Sequence, residues 1–323
     1  MSPNPNPFPM SERNVIHNFS HEAMGTRFWI RIADEDRSYA ERAAESIFYA
    51  IDELDFQVDA RHDSGPLAGV NGMPDGALVA AGDHFQSLWN FSQALKEESA
   101  GAFDVTAGTL FRYWEARGTP SFNPDDADWN KAYNDFRGAE FKLEGAEFSC
   151  VKSGGIVDFG AIIRGLAVDR ISDMLENSWG IHRALIIGGG GVVLALDPPG
   201  DANGWRIGVG KDKELNLCRF AMASKSNERQ ATQFVDPRTG QCVSLVAPVR
   251  TLASGALEAA GIAMAVAVQS PAEAEELIRQ GCSRGAWLPD GMCLGAAMNF
   301  ELTDRPSPSP TSTPTPTPPT EAT

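Results

Sequence analysis

Two short segments, far apart in the chain, carry the residues best suited to handle a phosphorylated ligand. Val157–Asp169 reads VDFGAIIRGLAVD and contains two carboxylates, two glycines and an arginine, while Phe234–Gly240 reads FVDPRTG. Carboxylates can hold a metal ion, an arginine can donate paired hydrogen bonds to a phosphate, and glycines let backbone amides come close to it. The two segments together therefore indicate an enzyme or a binding protein for a phosphorylated small molecule.

Each segment also has a purely structural interpretation. In the first, Asp158 could cap the following helix and pair with Arg164, and on this segment alone the two interpretations have equal support. In the second, the proline and the final glycine of Asp236–Gly240 favour a β-turn, which is the preferred interpretation of those residues alone. The four glycines 188–191 lack the G-x-G-x-x-G spacing of a nucleotide loop, so a tight turn after a strand is expected there.

Composition and charge limit the kinds of partner. The chain has 323 residues, of which 42% are apolar and 22% charged, and its net charge of -16 argues against nucleic acid and anionic membranes as partners. No apolar run approaches the roughly 20 residues of a membrane span, and the N-terminus does not resemble a secretory signal. Five scattered cysteines without a C-x-x-C pair favour reduced thiols and a cytoplasmic location.

The elements that must position the two segments alternate between strands and helices. Hydrophobic periodicity and turn residues predict strands at Arg27–Ile32, 184–187 and 205–209, a strand ending near Asp158, a hairpin over 139–151, and helices at Tyr39–Leu54, His84–Glu98, Ile163–Ser178, Ala253–Val268 and from Pro271. A loop is expected over Gly118–Asn134. Residues 1–16 and the Pro/Thr/Ser-rich tail 304–323 are expected to be disordered, which leaves one folded domain over 17–303.

Five landmarks, in the same order along the chain, resemble the ApbE-type family of FAD:protein FMN transferases. They are Met24–Thr26 (MGT), Ser99–Gly108 (SAGAFDVTAG), Asp158–Gly165 (DFGAIIRG), Ala184–Gly191 (ALIIGGGG) and Asp236–Gly240 (DPRTG). The second, third and fourth are similar to the family's "SGGAFDPTVGPL", "DLGGIAKG" and "ALVNAGGD", and the last is identical to its "DPRTG". The resemblance extends over roughly residues 20 to 300.

The resemblance implies both a fold and a reaction. The fold is α+β, with mixed sheets packed by helices and two lobes that enclose a nucleotide cleft. The reaction moves FMN from FAD to a Thr or Ser hydroxyl of an acceptor protein and releases AMP, with Mg2+ as the metal. FAD and the acceptor protein are thus the implied partners. Such phosphoryl transfer depends on positioning and on stabilisation of charge, to which a metal ion can contribute.

The resemblance also assigns roles to individual positions. FAD contacts fall on Met24, Ala102, Phe103, Asp104, Asp158 and Arg164. The metal falls on the Ala161 carbonyl with Ser254 and Glu258, whose spacing of four places both on one helix face. An alignment shifted by one residue gives Gly255 and Ala259 instead, which offer no side-chain ligand. Catalytic positions fall on Arg164, Asp236 and Gln233.

Several residues of the family pattern are replaced in this chain. Gln233 stands where the family has a histidine, and glutamine cannot accept a proton near neutral pH. Gly191 stands for the final Asp of "NAGGD", Arg164 replaces a lysine, and Ser224–Asn227 lacks the Asp of "TSGDY". Two hypotheses follow: an active Mg2+-dependent flavin transferase with a remodelled site, or a catalytically impaired relative that binds a flavin nucleotide or a partner protein without turnover.

Overall fold

A computed structural model of the chain describes residues 15–58, 65–117, 122–210, 212–226 and 234–305. The segments expected to be disordered, 1–16 and 304–323, lie outside these ranges except at residues 15–16 and 304–305. Gln233, one of the expected catalytic positions, also lies outside the described residues.

The described residues form helices and strands that alternate along much of the chain. The helices are α1 (Arg37–Val58), α2 (Pro66–Asn71), α3 (Asp83–Glu98), α4 (Gly108–Arg117), α5 (Ala127–Gly138), α6 (Ile163–Asp173), α7 (Ala256–Val266) and α8 (Pro271–Arg279). The strands are β1 (Ile16–Ala23), β2 (Thr26–Ala33), β3 (Ala77–Ala80), β4 (Glu140–Glu144), β5 (Glu147–Lys152), β6 (Ala184–Gly188), β7 (Val192–Ala195), β8 (Trp205–Val209), β9 (Lys213–Leu217), β10 (Phe220–Lys225), β11 (Phe234–Asp236), β12 (Gln241–Val243), β13 (Val249–Ala253), β14 (Gly285–Trp287), β15 (Cys293–Gly295) and β16 (Thr303–Asp304).

The largest sheet has eight strands in the order β1-β2-β6-β7-β10-β13-β14-β15. Three smaller sheets have the orders β3-β5-β4, β16-β9-β8 and β11-β12. All strand ladders within the described ranges are antiparallel, and the one parallel contact among them is an isolated bridge between Ala107 and Ile156. The α+β class is thereby confirmed, while the arrangement in two lobes stays a prediction.

Each face of the large sheet is covered by a different layer. On one face, Phe28, Ile30 and Ile32 of β2 join the buried apolar residues of α1, α6 and α7 in the main core. On the other, Leu185 of β6 and Met222 of β10 pack with the buried residues of β8 and β9 in a second core. Because successive side chains of a strand point to opposite faces, each central strand contributes to both cores.

The structure corrects several element boundaries. The expected loop Gly118–Asn134 is wrong at its C-terminal end, because Asp126 caps helix α5 by accepting from the Asp128 and Trp129 amides. The expected helix to Ser178 remains α-helical only to Asp173 and continues as one π-helical turn. The expected strand before Asp158 is only the bridge at residue 156, and α7 begins three residues later than expected.

Other expectations from the sequence are confirmed. The hairpin over 139–151 consists of β4 and β5, and α8 begins at Pro271 behind a capping box between Ser270 and Glu273. All five cysteines fall within the described residues and are free thiols. Among the helices that the structure describes, none combines the length and the apolar composition that a membrane crossing requires.

Candidate active site

The loop between α3 and α4 holds Asp104 in a buried position. Asp104 Oδ1 accepts hydrogen bonds from the Thr106 amide (2.9 Å) and hydroxyl (2.7 Å), while Oδ2 lies 2.7 Å from Lys96 Nζ. The side chain of Asp104 is only 4% exposed, so these partners offset the loss of solvation of its charge. Ala100 and Gly101 have positive φ and turn the chain back from the end of α3.

Asp158 lies beside this loop. Its amide donates to the Val105 carbonyl at 2.8 Å, and its Oδ1 accepts from the Gly160 amide at 2.7 Å in a local turn. The side chain of Asn71 at the end of α2 bonds both the amide and the carbonyl of Val157. The passage into α6, with Arg164 in its first turn, is therefore fixed from both sides.

The Asp236–Gly240 turn is built around an internal ion pair. Asp236 is buried, and both of its carboxylate oxygens accept hydrogen bonds from the Arg238 guanidinium. Arg238 also lies 2.6 Å from Glu273, and its bond to Asp236 holds its pKa above the usual range. The Gly240 carbonyl accepts from the indole nitrogens of Trp114 (2.9 Å) and Trp129 (3.0 Å), which anchors the turn to α4 and α5.

The three expected segments meet, but their carboxylates do not share one cavity. Asp104 and Arg238 line a cavity of about 250 Å³ together with Lys96. Of the expected carboxylates in the described part of the chain, neither Asp158 nor Asp236 lines it. The segments at 104 and 158 are joined by the backbone bond at Val105, and those at 104 and 236 by this cavity.

A larger cavity, of about 580 Å³, lies between the central strands of the large sheet and β8. It is lined by the turn Gly189–Gly191 and by five basic side chains, which are Arg31, Arg164, Arg206, Lys225 and Arg250. None of its described lining residues is acidic. Gly189 and Gly190 have positive φ, and a Cβ at Gly189 would lie 2.6 Å from Thr26 Oγ1, so this turn requires glycine.

Lys225 is the deepest of these cations. The residue is 7% exposed, and its Nζ donates to the Ala161 carbonyl at 3.3 Å. Burial, together with the nearby Arg164, lowers the pKa of Lys225 to about 7. The carbonyl that the resemblance assigns to a metal ion is therefore bonded to an amine of this chain.

The other expected metal positions also have local partners. Glu258 Oε1 accepts from Arg284 Nε at 2.8 Å, and Arg284 lies 2.8 Å from Glu98 as well. Ser254 is exposed and precedes α7, so it does not share a helix face with Glu258. Among the residues that the structure describes, no group of three or more His, Cys, Asp or Glu could hold a metal. These donors do not fit a Mg2+ ion.

Asp169 connects the two helices next to these positions. It accepts from the Ala256 and Leu257 amides at 2.6 and 2.8 Å, and so satisfies free donors at the start of α7. Burial is the main reason that the pKa of Asp169 is raised, to about 6. One residue of α6 thus orients the segment that carries Ser254 and Glu258.

The remaining expected FAD contacts are largely buried. Ala102 and Phe103 belong to the main core, and Phe103 is 4% exposed. Met24 has a φ of 53°, its amide donates to Asp55 Oδ2 at 2.7 Å, and the residue lines a third cavity, of about 530 Å³, with Thr26. Thr26 touches the glycine turn of the large cavity, so these two cavities are neighbours.

Two lysines of these sites were not predicted from the sequence. Lys96, in the last turn of α3, comes before the motif that contains Asp104. Lys225 ends a strand in which Ala221 and Ala223 are buried in the main core, so the period of two places it on the same face. A lysine at the end of such an apolar series is the sequence signal that could have identified Lys225 as a site residue, since lysine is rarely buried without a partner.

Comparison with known proteins places this geometry in context. The model of the ApbE family matches residues 24–286. A comparison with curated proteins gives no match. Among solved structures, the chain is similar to the flavinyl transferase ApbE of Pseudomonas stutzeri in its apo form, at 20% identity and a TM-score of 0.72, over 90% of this chain and 95% of that one.

Two further structures show the same fold. The flavin transferase ApbE of Vibrio cholerae is 20% identical, with a TM-score of 0.76 over 89% of this chain and 100% of that one. The ApbE protein of Thermotoga maritima is 21% identical, with a TM-score of 0.74 over 88% of this chain and 98% of that one. With most of its length matched by the family model, the chain belongs to the ApbE family.

Proposed function

We propose that this chain is an FAD-dependent flavin transferase, which moves FMN from FAD to a Thr or Ser hydroxyl of an acceptor protein and releases AMP. Membership of the ApbE family supports the proposal, and the similar solved structures include proteins named flavin transferases. The observation that carries it furthest is the meeting of the Asp104 loop with Asp158 and with Arg238.

In this proposal the acceptor oxygen attacks the phosphorus of the FMN half of FAD, and the bond from that phosphorus to the AMP oxygen breaks. The acceptor hydroxyl loses its proton, and AMP carries away the negative charge that develops on the leaving oxygen. In this proposal Arg164 and Lys225 stabilise that charge, a role supported by the position of both in the lining of the large cavity. Met24, Ala102, Phe103, Asp104 and Asp158 are the proposed contacts of FAD.

Two of the expected catalytic positions, Asp236 and Gln233, do not act as proton acceptors in this proposal. The Asp236 carboxylate is occupied by Arg238, so in this proposal it positions the turn. Gln233 has an amide, which cannot take up the hydroxyl proton near neutral pH. The proton is therefore released to water, and the chain contributes chiefly by orienting FAD and stabilising charge.

The decisive experiment incubates the purified full-length chain with FAD and a soluble protein extract of the source organism. Transfer predicts a protein band that keeps flavin fluorescence after denaturing electrophoresis, and an equal amount of AMP measured by chromatography. Extract without the chain, and the chain without extract, are the controls. If FAD yields neither AMP nor a fluorescent band, with Mg2+ or without it, the transferase proposal is wrong.

A second function is favoured by the partners of the expected metal donors. Because Lys225 bonds the Ala161 carbonyl and Arg284 pairs with Glu258, the chain could bind a flavin nucleotide without turning it over. Quenching of FAD fluorescence on titration with the chain, in the absence of AMP release, would support this catalytically impaired relative. AMP release in step with acceptor labelling would exclude it.

A further inference from the structure

The charge of the large cavity is opposite to that of the chain as a whole. The chain carries a net charge of -16, yet five basic side chains and no acidic one line the cavity within the described residues. Arg206 is balanced locally by the Glu214 carboxylate, whereas Arg31 bonds the neutral side chain of Asn18 and keeps its charge. Together these side chains place several positive charges around a space large enough for a small ligand.

Lys225 and Arg250 lack a carboxylate partner among the residues that the structure describes. The contact of Lys225 is a neutral carbonyl, and Arg250 is half-buried, with burial lowering its pKa. Buried charges in proteins are normally paired, because an ammonium or guanidinium loses much of its solvation inside the protein. An anion in the cavity would supply the missing partner for both side chains.

The two cations reach the cavity from opposite faces of the large sheet. Lys225 shares a face with Ala223, on the side of the main core, whereas Arg250 alternates with Val249 of that core and so lies on the other side. Arg164 approaches from the first turn of α6. Gly190 and Gly191 add no side chains to the lining, which leaves room between these cations.

We propose that this cavity binds a diphosphate group directly through Lys225, Arg164 and Arg250, without a divalent metal ion. The inference rests on the proposed function to the extent that FAD is the source of that group. The Lys225 amine occupies the Ala161 carbonyl, where a metal would need a free oxygen, and Glu258 is held by Arg284. Fixed side-chain cations thus replace the metal as the counter-charge of the ligand.

The experiment uses inorganic pyrophosphate as the probe and isothermal titration calorimetry of the full-length chain as the measurement. We expect binding in EDTA, with an affinity that added Mg2+ does not increase. Lys225→Met and Arg250→Met should each weaken binding about tenfold or more, since each removes a charged hydrogen-bond donor. The control is Lys213→Met, a change to an exposed lysine outside the cavity, which should bind like the parent chain.

Thermal unfolding of the same variants separates a binding role from a structural one. A methionine at position 225 removes a buried ammonium but keeps the chain length, so Lys225→Met should melt at or above the temperature of the parent. Weaker pyrophosphate binding without loss of stability supports the site. Binding that appears only with Mg2+, or that Lys225→Met leaves unchanged, would overturn the inference.

The outcomes for FAD distinguish this inference from the proposed function. Pyrophosphate binding in EDTA, with no AMP released from FAD, supports the site and rejects the transferase. AMP release that requires Mg2+ and is unaffected by Lys225→Met supports the transferase and rejects the metal-free site.

Discussion

At the scale of single residues, the buried carboxylates of the site are held by partners in their own loops and, for Asp104, also in helix α3. Asp104 is paired with Lys96 of α3 and with Thr106 of its own loop, while Asp236 is paired with Arg238. Each pairing fixes the position of a carboxylate that is buried from solvent. The two carboxylates therefore organise their loops whether or not a ligand is bound.

The Asp104–Lys96 pair gives a direct test of this organising role. Asp104→Asn keeps the size of the side chain but removes the charge opposite Lys96, so we expect the free energy of unfolding to fall by about 1–2 kcal/mol. The control, Asp135→Asn, removes a more exposed pair with Lys131 and should change it by less than about 0.5 kcal/mol. Urea denaturation of both variants measures the difference, and equal effects would contradict the assigned role.

The carboxylates of the site, and the Arg238 that pairs with Asp236, could be predicted from motifs, whereas Lys96 and Lys225 could not. Asp104, Asp158 and Asp236 stand in short runs of glycine, proline and turn residues that resemble a family pattern. Lys96 stands in the last turn of a helix, and Lys225 ends a strand whose apolar pattern signals that the lysine is buried, but neither local sequence identifies the group that the lysine contacts. Such pairings depend on how the elements pack, which periodicity within one segment does not specify.

At the scale of elements, the site depends on the close crossing of α6 and α7. A Cβ at Gly165 would lie 2.6 Å from the Ala256 carbonyl oxygen and 2.7 Å from Leu257 Cα. The two helices approach backbone to backbone at this point, so a larger residue would push them apart. Asp169, one turn further along α6, accepts from the first amides of α7 and fixes the register of the contact.

Gly165→Ala should therefore lower the free energy of unfolding by about 1–3 kcal/mol, because the added methyl group meets backbone that cannot move aside. The matched control is Gly69→Ala in α2, where a Cβ would have no atom within 4 Å. Alanine is the better helix former, so the control should be neutral or stabilising by up to about 1 kcal/mol. Guanidinium denaturation compares the two, and a tolerated alanine at 165 would contradict the close crossing.

Asp169 predicts a pH dependence of stability with a definite sign. Its pKa is about 6 in the folded chain against an ordinary value of 3.8, so the folded state binds the proton more tightly. The contribution of this carboxyl to stability is therefore full below about pH 4 and is lost as the pH rises through 6. Asp169→Asn lacks this titration, so the stability of the parent relative to the variant should fall by about 1–3 kcal/mol from pH 4 to 7.

Urea denaturation of both proteins across this pH range measures that difference. Asp201→Asn, an exposed change in the loop between β7 and β8, should run parallel to the parent. A difference between parent and Asp169→Asn that is constant with pH would contradict the assigned titration.

Element prediction succeeded where periodicity was strong and failed where capping decided the outcome. α1 and α3 follow from regular apolar spacing, and the β4–β5 hairpin from its Glu144–Gly145 turn. Helix α5 was missed because the segment before Asn134 is rich in Asp, Asn and Pro, which favour loops as well as helix starts. The sheet order could not be derived, since it pairs strands far apart in the sequence.

At the scale of the whole molecule, three cysteines report on whether the fold is intact. Cys282 is exposed, Cys150 is buried in β5 between β3 and β4, and burial raises the pKa of Cys242 to about 12. At pH 8 iodoacetamide should modify Cys282 in the native chain, and Cys150 and Cys242 only after denaturation. Peptide mass spectrometry identifies the labelled sites, and native labelling of Cys150 at the rate of Cys282 would contradict the described packing.

The shared acceptor at Gly240 has a practical consequence. Trp114 and Trp129 direct their indole N–H groups at one carbonyl oxygen, two residues after Arg238 of the smaller cavity. Indole emission responds to changes in hydrogen bonding and polarity around the ring. The chain therefore contains an intrinsic optical probe at the DPRTG turn, by which ligand entry beside Arg238 can be followed in real time without an added dye.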